Sequence, residues 1–167
     1  EAHAITAKSY LGLNKIEEAL IEFKTVASGS KNELGAEASY SIANIHYTRG
    51  EYKQSQKVIF DFFKNGGDYP VWIDKSLLLL ADNYVGLKDN FQAKTTLQSI
   101  IDDSKNAESV KTAKAKLAAI IAAEEAEKAA KIVPAEPVQI QFDGNSKEQK
   151  KLFTEPVKTE EGETKHE

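Results

Sequence analysis

Residues 4–23 read AITAKSYLGLNKIEEALIEF, residues 40–59 read YSIANIHYTRGEYKQSQKVI, and residues 78–97 read LLLADNYVGLKDNFQAKTTL. Laid over one another, the three stretches place a small residue and, three positions on, a ring at Ala7/Tyr10, Ala43/His46 and Ala81/Tyr84, at steps of 36 and 38 residues. A second small-residue position keeps the same step at Ala19, Ser55 and Ala93. Two landmarks recurring in phase at this interval are the signature of a helical repeat. Such folds hold partners along an extended surface more often than they build a reaction centre.

Apolar residues around the landmarks follow the 3.6-residue period. Ala4, Ala7, Tyr10 and Leu11 make one stripe, and Ile16, Ala19, Leu20, Phe23 and Val26 make the next. Gly12-Leu13-Asn14 separates the two, and Ser28-Gly29-Ser30 closes the second. A second pair is divided at Arg49-Gly50 and ends at Asn65-Gly66-Gly67; a third begins near Pro70 and is divided over 86–90. The expected chain is all-α: three helical hairpins over about 1–34, 35–69 and 70–104, then a capping helix over 105–131. Val110, Ala113, Leu117, Ile120 and Ile121 give that helix an apolar first half. Its second half is expected to project into solvent, held by alanine propensity and by Glu124/Lys128 and Glu127/Lys131 pairs.

From Ile132 the character changes. Pro134, Pro137 and Pro156 interrupt the segment, and five lysines face eight acids, a net of −3. Residues 132–167 read as a disordered acidic tail. The alternation Val138-Gln139-Ile140-Gln141-Phe142 inside it is a candidate strand for a partner's sheet edge.

Bulk composition excludes several functions. The net charge of −4 lacks the basic stripe that nucleic-acid binding needs. Without cysteine there are no disulfides and no thiolate metal sites. No apolar run approaches the roughly 20 residues of a membrane span, and no signal peptide is visible. The chain contains no methionine, and its first stripe begins almost at residue 1, as expected of the C-terminal piece of a longer array or of a processed product.

The pattern resembles the tetratricopeptide repeat (TPR) family. The likeness rests on Ala7, Tyr10, Asn14, Ala19, Phe23 and Val26 in the first copy, and on Ala43, His46, Gly50, Ser55, Ile59 and Phe62 in the second. Ala81, Tyr84, Ala93, Leu97 and Ile100 carry it in the third. A small side chain lets two helix backbones approach while larger neighbours fill the flanks. Departures are visible: His3, Ser39 and Leu77 replace the early aromatic, and the period exceeds the usual 34. The third turn, Gly86-Leu87-Lys88-Asp89-Asn90, departs from the two-residue pattern, with Phe91 one place off. The long period and the run from Ser76 to Tyr84 are similar to the bacterial cell-envelope branch of the family. That likeness implies a periplasmic or outer-membrane-associated assembly factor, with a cytoplasmic protein as the alternative.

The resemblance implies a right-handed superhelix whose first helices line a concave groove. The groove-facing positions would be Ala4, Lys8, Leu11, Tyr40, Asn44, Tyr47, Lys75, Leu78, Asp82 and Val85. Tyr40, Asn44 and Tyr47 form the expected contact cluster, because tyrosine joins a large apolar face to a polar tip; the competing reading is that they cover a neighbouring helix. A carboxylate clamp is not expected: Lys8 and Asn44 suit one, but Ala4, Ser41 and Leu79 stand where further polar and basic groups would be needed. His46 reads as a packed histidine, since no zinc-binding helical spacing of histidines exists here. Asp102-Asp103 reads as surface charge, and Trp72 as a packing anchor or a contact residue.

No catalytic residue, cofactor or metal is therefore expected. The leading expectation is a non-catalytic scaffold that binds a protein or peptide segment within a multiprotein complex. The alternatives are a regulatory or substrate-binding domain of an enzyme, and a self-assembly module pairing through its exposed N-terminal hairpin.

Overall fold

A computed structural model describes residues 1–65 and 68–131. These form seven α-helices and, among the described residues, no strand: α1 (Ala2–Gly12), α2 (Ile16–Gly29), α3 (Glu33–Thr48), α4 (Tyr52–Asn65), α5 (Pro70–Gly86), α6 (Asn90–Asp103) and α7 (Ala107–Lys131). The all-α expectation holds for these residues. The tail over 132–167, its Val138–Phe142 alternation and the Gly66-Gly67 break lie outside the described residues.

Local chemistry sets the helix starts. Asn32 Oδ1 accepts from the Gly35 amide at 3.3 Å, Asp89 Oδ1 from Gln92 at 3.1 Å, and Asn106 Oδ1 from Glu108 at 3.0 Å, each satisfying a first-turn donor that has no helical partner. Pro70 occupies the first turn of α5, where its missing N–H is harmless.

The three turns within the hairpins share one geometry. Asn14, Gly50 and Lys88 take the left-handed conformation at φ 55°, 73° and 61°. The amide following each returns to the carbonyl of the ring landmark: Lys15 to Tyr10 at 2.8 Å, Glu51 to His46 at 2.9 Å, and Asp89 to Tyr84 at 2.8 Å. The third turn was expected to depart from the pattern, and it does not. Lys88 hides the match, because a lysine at φ 61° gives no turn signal of the kind Asn14 and Gly50 give.

Each helix packs on the next in sequence, and α3 also packs on α5 and α5 on α7. The landmarks lie inside this packing. Ala7, Ala19, Ala43, Ser55, Ala81 and Ala93 are all essentially inaccessible to solvent. Ala7, Ala19, Leu20, Phe23 and Val26 join Ile42 and Ile45 in one core cluster. Ala43, Ile59, Leu79 and Leu80 form a middle cluster. Ala81, Ala93, Leu97 and Ile100 join Ala113 and Ile120 of α7 in a third. Gly86 owes its identity to packing, for a Cβ there would stand 2.5 Å from the Tyr52 ring.

Past Ile120 every residue of α7 except the half-buried Glu124 is exposed, in keeping with a second half that projects into solvent. Glu124 is bound by Lys94 of α6 at 2.7 Å, in place of the local pair with Lys128. The Glu127–Lys131 pair forms as expected, at 2.7 Å.

Candidate partner-binding face

The expected groove residues sit on α1, α3 and α5, and the structure divides them into two zones. The first lies between α1 and α3. Leu11, Tyr40 and Asn44 line a pocket of about 410 Å3 there, together with Ile16 and Arg49. Arg49 is held at the rim by Glu17, with Nη2 and Oε1 2.6 Å apart. Lys8 is exposed and pairs across the two helices with Glu37 at 2.8 Å.

An aromatic patch continues this zone onto α5. Tyr40 and Trp72 meet with ring centroids 5.7 Å apart and planes tilted by 47°. Lys75 Nζ lies 4.2 Å from the Trp72 ring centroid, a cation–π contact. Trp72 Nε1 donates to Glu33 Oε1 at 3.3 Å. The indole is thus half-buried, with both its face and its N–H engaged within the chain.

The second zone is closed by α7. Asp82 accepts two hydrogen bonds from Lys116, at 2.6 and 2.9 Å. Leu78 is partly buried and packs against the α5–α6–α7 core. Tyr47 rests on Tyr52, with centroids 5.8 Å apart, and Tyr52 in turn covers Gly86. Burial, and then the negative charge of Asp82, hold both the Tyr40 and Tyr47 hydroxyls above the usual tyrosine range. Tyr40 and Tyr47 also pack against the middle core cluster, so contact surface and core packing meet in the same two rings.

Of the residues expected on a shared face, Tyr40 and Asn44 line one pocket, Lys75 reaches Tyr40 through Trp72, and Lys8 pairs with Glu37. The sequence pattern did not show Glu33, Glu37 and Arg49 beside these residues, or Lys116 on Asp82 in the second zone. Lys116 was hidden because α7 was read only as a cap; Glu37 and Arg49 were hidden because pairs between different helices leave no periodic trace. Lys8 and Arg49 are thus paired with acids of the chain, while the Lys75 cation rests over the Trp72 ring.

The remaining features carry no visible chemistry. His46 is half-buried against Glu51, with Nδ1 and Oε2 2.5 Å apart, and it lines a cavity of about 580 Å3 between α2, α3 and α4. No group of three potential metal ligands occurs among the described residues, and no described helix is long and apolar enough to cross a membrane. Comparison of the chain with family models, curated proteins and solved structures finds no match.

Proposed function

We propose that the chain is a TPR-like superhelical scaffold without catalytic activity, and that the face carrying Lys8, Tyr40, Asn44 and Lys75 binds a segment of a partner protein. The observation that carries the reading is the pairing of charge on that face. Lys8 is paired with Glu37 and Arg49 with Glu17, which leaves the aromatic and amide groups, and the Lys75 cation over the Trp72 ring, as the open features. Such a surface favours a segment of low net charge, and its binding should weaken only moderately with salt. Tyrosine and tryptophan are the residue types that most often supply interface energy.

The test is affinity capture from the source cell with the wild type and with the Tyr40→Ala/Tyr47→Ala variant. Circular dichroism verifies that the variant stays folded. Partners kept by a folded double variant would rule out this face.

Self-assembly is the second reading. Ile5 and Ile21, on the first hairpin, are 66% and 64% exposed. Solution mass measured across a concentration series separates this reading from a monomeric scaffold.

A further inference from the structure

A second cavity, of about 630 Å3, lies between α5 and the end of α6, with the α6–α7 loop at its mouth. It shares no residue with the Tyr40–Asn44 pocket. Val71, Ile73 and Leu77 give it an apolar wall, and Asp68, Asp74 and Asp103 give it acid.

Asp74 is the unusual member. It is only 7% exposed, and its Oδ2 accepts from the Ser104 hydroxyl at 2.5 Å. Among the described residues no side chain donates to Oδ1, and none of the three aspartates belongs to an ion pair, although Lys105 lines the same cavity. Elsewhere the half-buried acids are paired: Glu37 with Lys8, Asp82 with Lys116, Glu124 with Lys94. A buried carboxylate is ordinarily matched by a cation, because desolvation disfavours it strongly when alone.

The chain supplies its own control. Gly35, Ala36, Ser39 and Phe62 stand 38 residues before Ile73, Asp74, Leu77 and Ile100, and they line the equivalent cavity between α2, α3 and α4. There the position of Asp74 is held by Ala36, which is 2% exposed. Packing at this site is satisfied by a methyl group, so packing does not explain the carboxylate. The balance of charge in the surroundings is reversed as well: Lys24 and Lys31 with one aspartate, Asp61, line the earlier cavity, where the later one has three aspartates and one lysine, Lys105.

We propose that the α5–α6 cavity docks a segment of a partner protein that presents an arginine or lysine beside an apolar side chain. The cation meets Asp74 Oδ1, with Asp68 and Asp103 completing an anionic rim. The apolar neighbour rests on Val71, Ile73 and Leu77. The Ser104 hydroxyl, which also accepts from the Asn106 amide at 3.1 Å, keeps the Asp74 carboxylate anchored to the loop. Charge complementarity of this kind selects the partner and fixes its register.

The experiment titrates the isotope-labelled full chain with acetyl-Ala-Leu-Arg-Leu-Ala-amide and follows amide shifts by NMR. The control peptide carries citrulline, a neutral isostere, in place of arginine. The expected result is saturable shifts around residues 70–77 and 99–106, with binding weakened about tenfold or more by citrulline. Asp74→Asn keeps an acceptor for Ser104 and removes the charge, so it should weaken the arginine peptide to the same degree. Tyr40→Ala/Tyr47→Ala should leave this binding unchanged, which separates the site from the face proposed above. Absence of saturable shifts, equal binding of the citrulline peptide, or shifts mapping elsewhere would each overturn the proposal. If Asp74→Asn fails to fold, the two peptides against the wild-type chain decide alone.

Discussion

The junction between α2 and α3 and the junction between α4 and α5 use the same positions with different chemistry. In the first, Ala19 and Ile45 are buried together in an apolar cluster. The equivalent residues in the second are Ser55, 36 positions after Ala19, and Asn83, 38 after Ile45. Asn83 Nδ2 donates to Ser55 Oγ at 2.8 Å and to the Leu79 carbonyl at 3.0 Å, and both side chains are fully buried. The α6–α7 junction returns to the apolar form, with Ala93 and Ile120 in one cluster. The outer junctions also carry ion pairs at their rims, Glu17–Arg49 and Lys94–Glu124, and no pair bridges α4 and α5 among the described residues. One close-packed slot therefore accepts either a methyl group or a hydroxyl, provided the facing residue changes with it. A buried hydrogen bond contributes little net stability but penalises any register that leaves it unmade.

The largest test of this comparison is steric. Ala19→Leu and Ser55→Leu each force four-carbon side chains into sites with no free space. Both should lose about 1–3 kcal/mol or more in denaturant melts. The exposed control Lys57→Ala should stay within about 0.5 kcal/mol. Equal behaviour of slots and control would mean that the shared small-residue position is not the point of close approach.

The chemical difference is tested next. Ser55→Ala removes the hydroxyl and leaves Asn83 with one fewer partner in a dry site, an expected loss of about 1–2 kcal/mol. The Asn83 Oδ1 atom already lacks a partner, so the Leu79 carbonyl would be the one bond left to the amide. Combining Ser55→Ala with Asn83→Ile copies the outer junctions and should restore part of the loss, giving a non-additive cycle. Strict additivity of the two changes would show that the residues are not coupled.

The turns differ in the same manner, shared geometry with unlike residues. Lys88 holds a left-handed conformation that costs an ordinary side chain roughly 1–2 kcal/mol, while glycine bears a smaller entropic cost. Lys88→Gly should therefore raise stability by about 0.5–1 kcal/mol, and Gly50→Lys should lower it by a similar amount. A loss on Lys88→Gly would point to contacts of the lysine that outweigh its backbone strain.

What could be read from the sequence was what repeats. Ala7, Ala43 and Ala81 announced the close crossings, and the stripes announced the helices. Lys8, Tyr40, Asn44 and Lys75 lie at fixed offsets from those alanines. Leu78 lies at such an offset too and is half-buried against the α5–α6–α7 core, a contact with no signal in the repeat. The Ser55–Asn83 bond, the Asp82–Lys116 pair and the Lys94–Glu124 pair were not legible. Each joins residues about 30 apart whose only signal is a departure from the pattern at one end. Ser55 alone looked like a tolerated small residue, and only its partner explains it.

The smallest effect concerns the rim of the α6–α7 junction. The hydrogen bond from Lys94 holds the Glu124 carboxyl below its ordinary value of 4.5, more than burial raises it. A carboxyl whose folded pKa is depressed releases its proton more readily in the folded state than in the unfolded one. Its contribution is therefore complete above the unfolded value of 4.5 and fades as pH falls through the lower folded value. Glu124→Gln removes the titration and keeps the shape. The variant should melt at a slightly lower denaturant midpoint than the wild type at about pH 7, with the difference closing as pH drops below the carboxylate range. Glu127, lowered by Lys131 of its own helix, lies on no junction. Glu127→Gln is the matched control for a pair that stays within α7. A difference between Glu124→Gln and wild type that persists unchanged into acid would mean that the Lys94 contact acts by packing, and that the outer junctions hold their rims without charge.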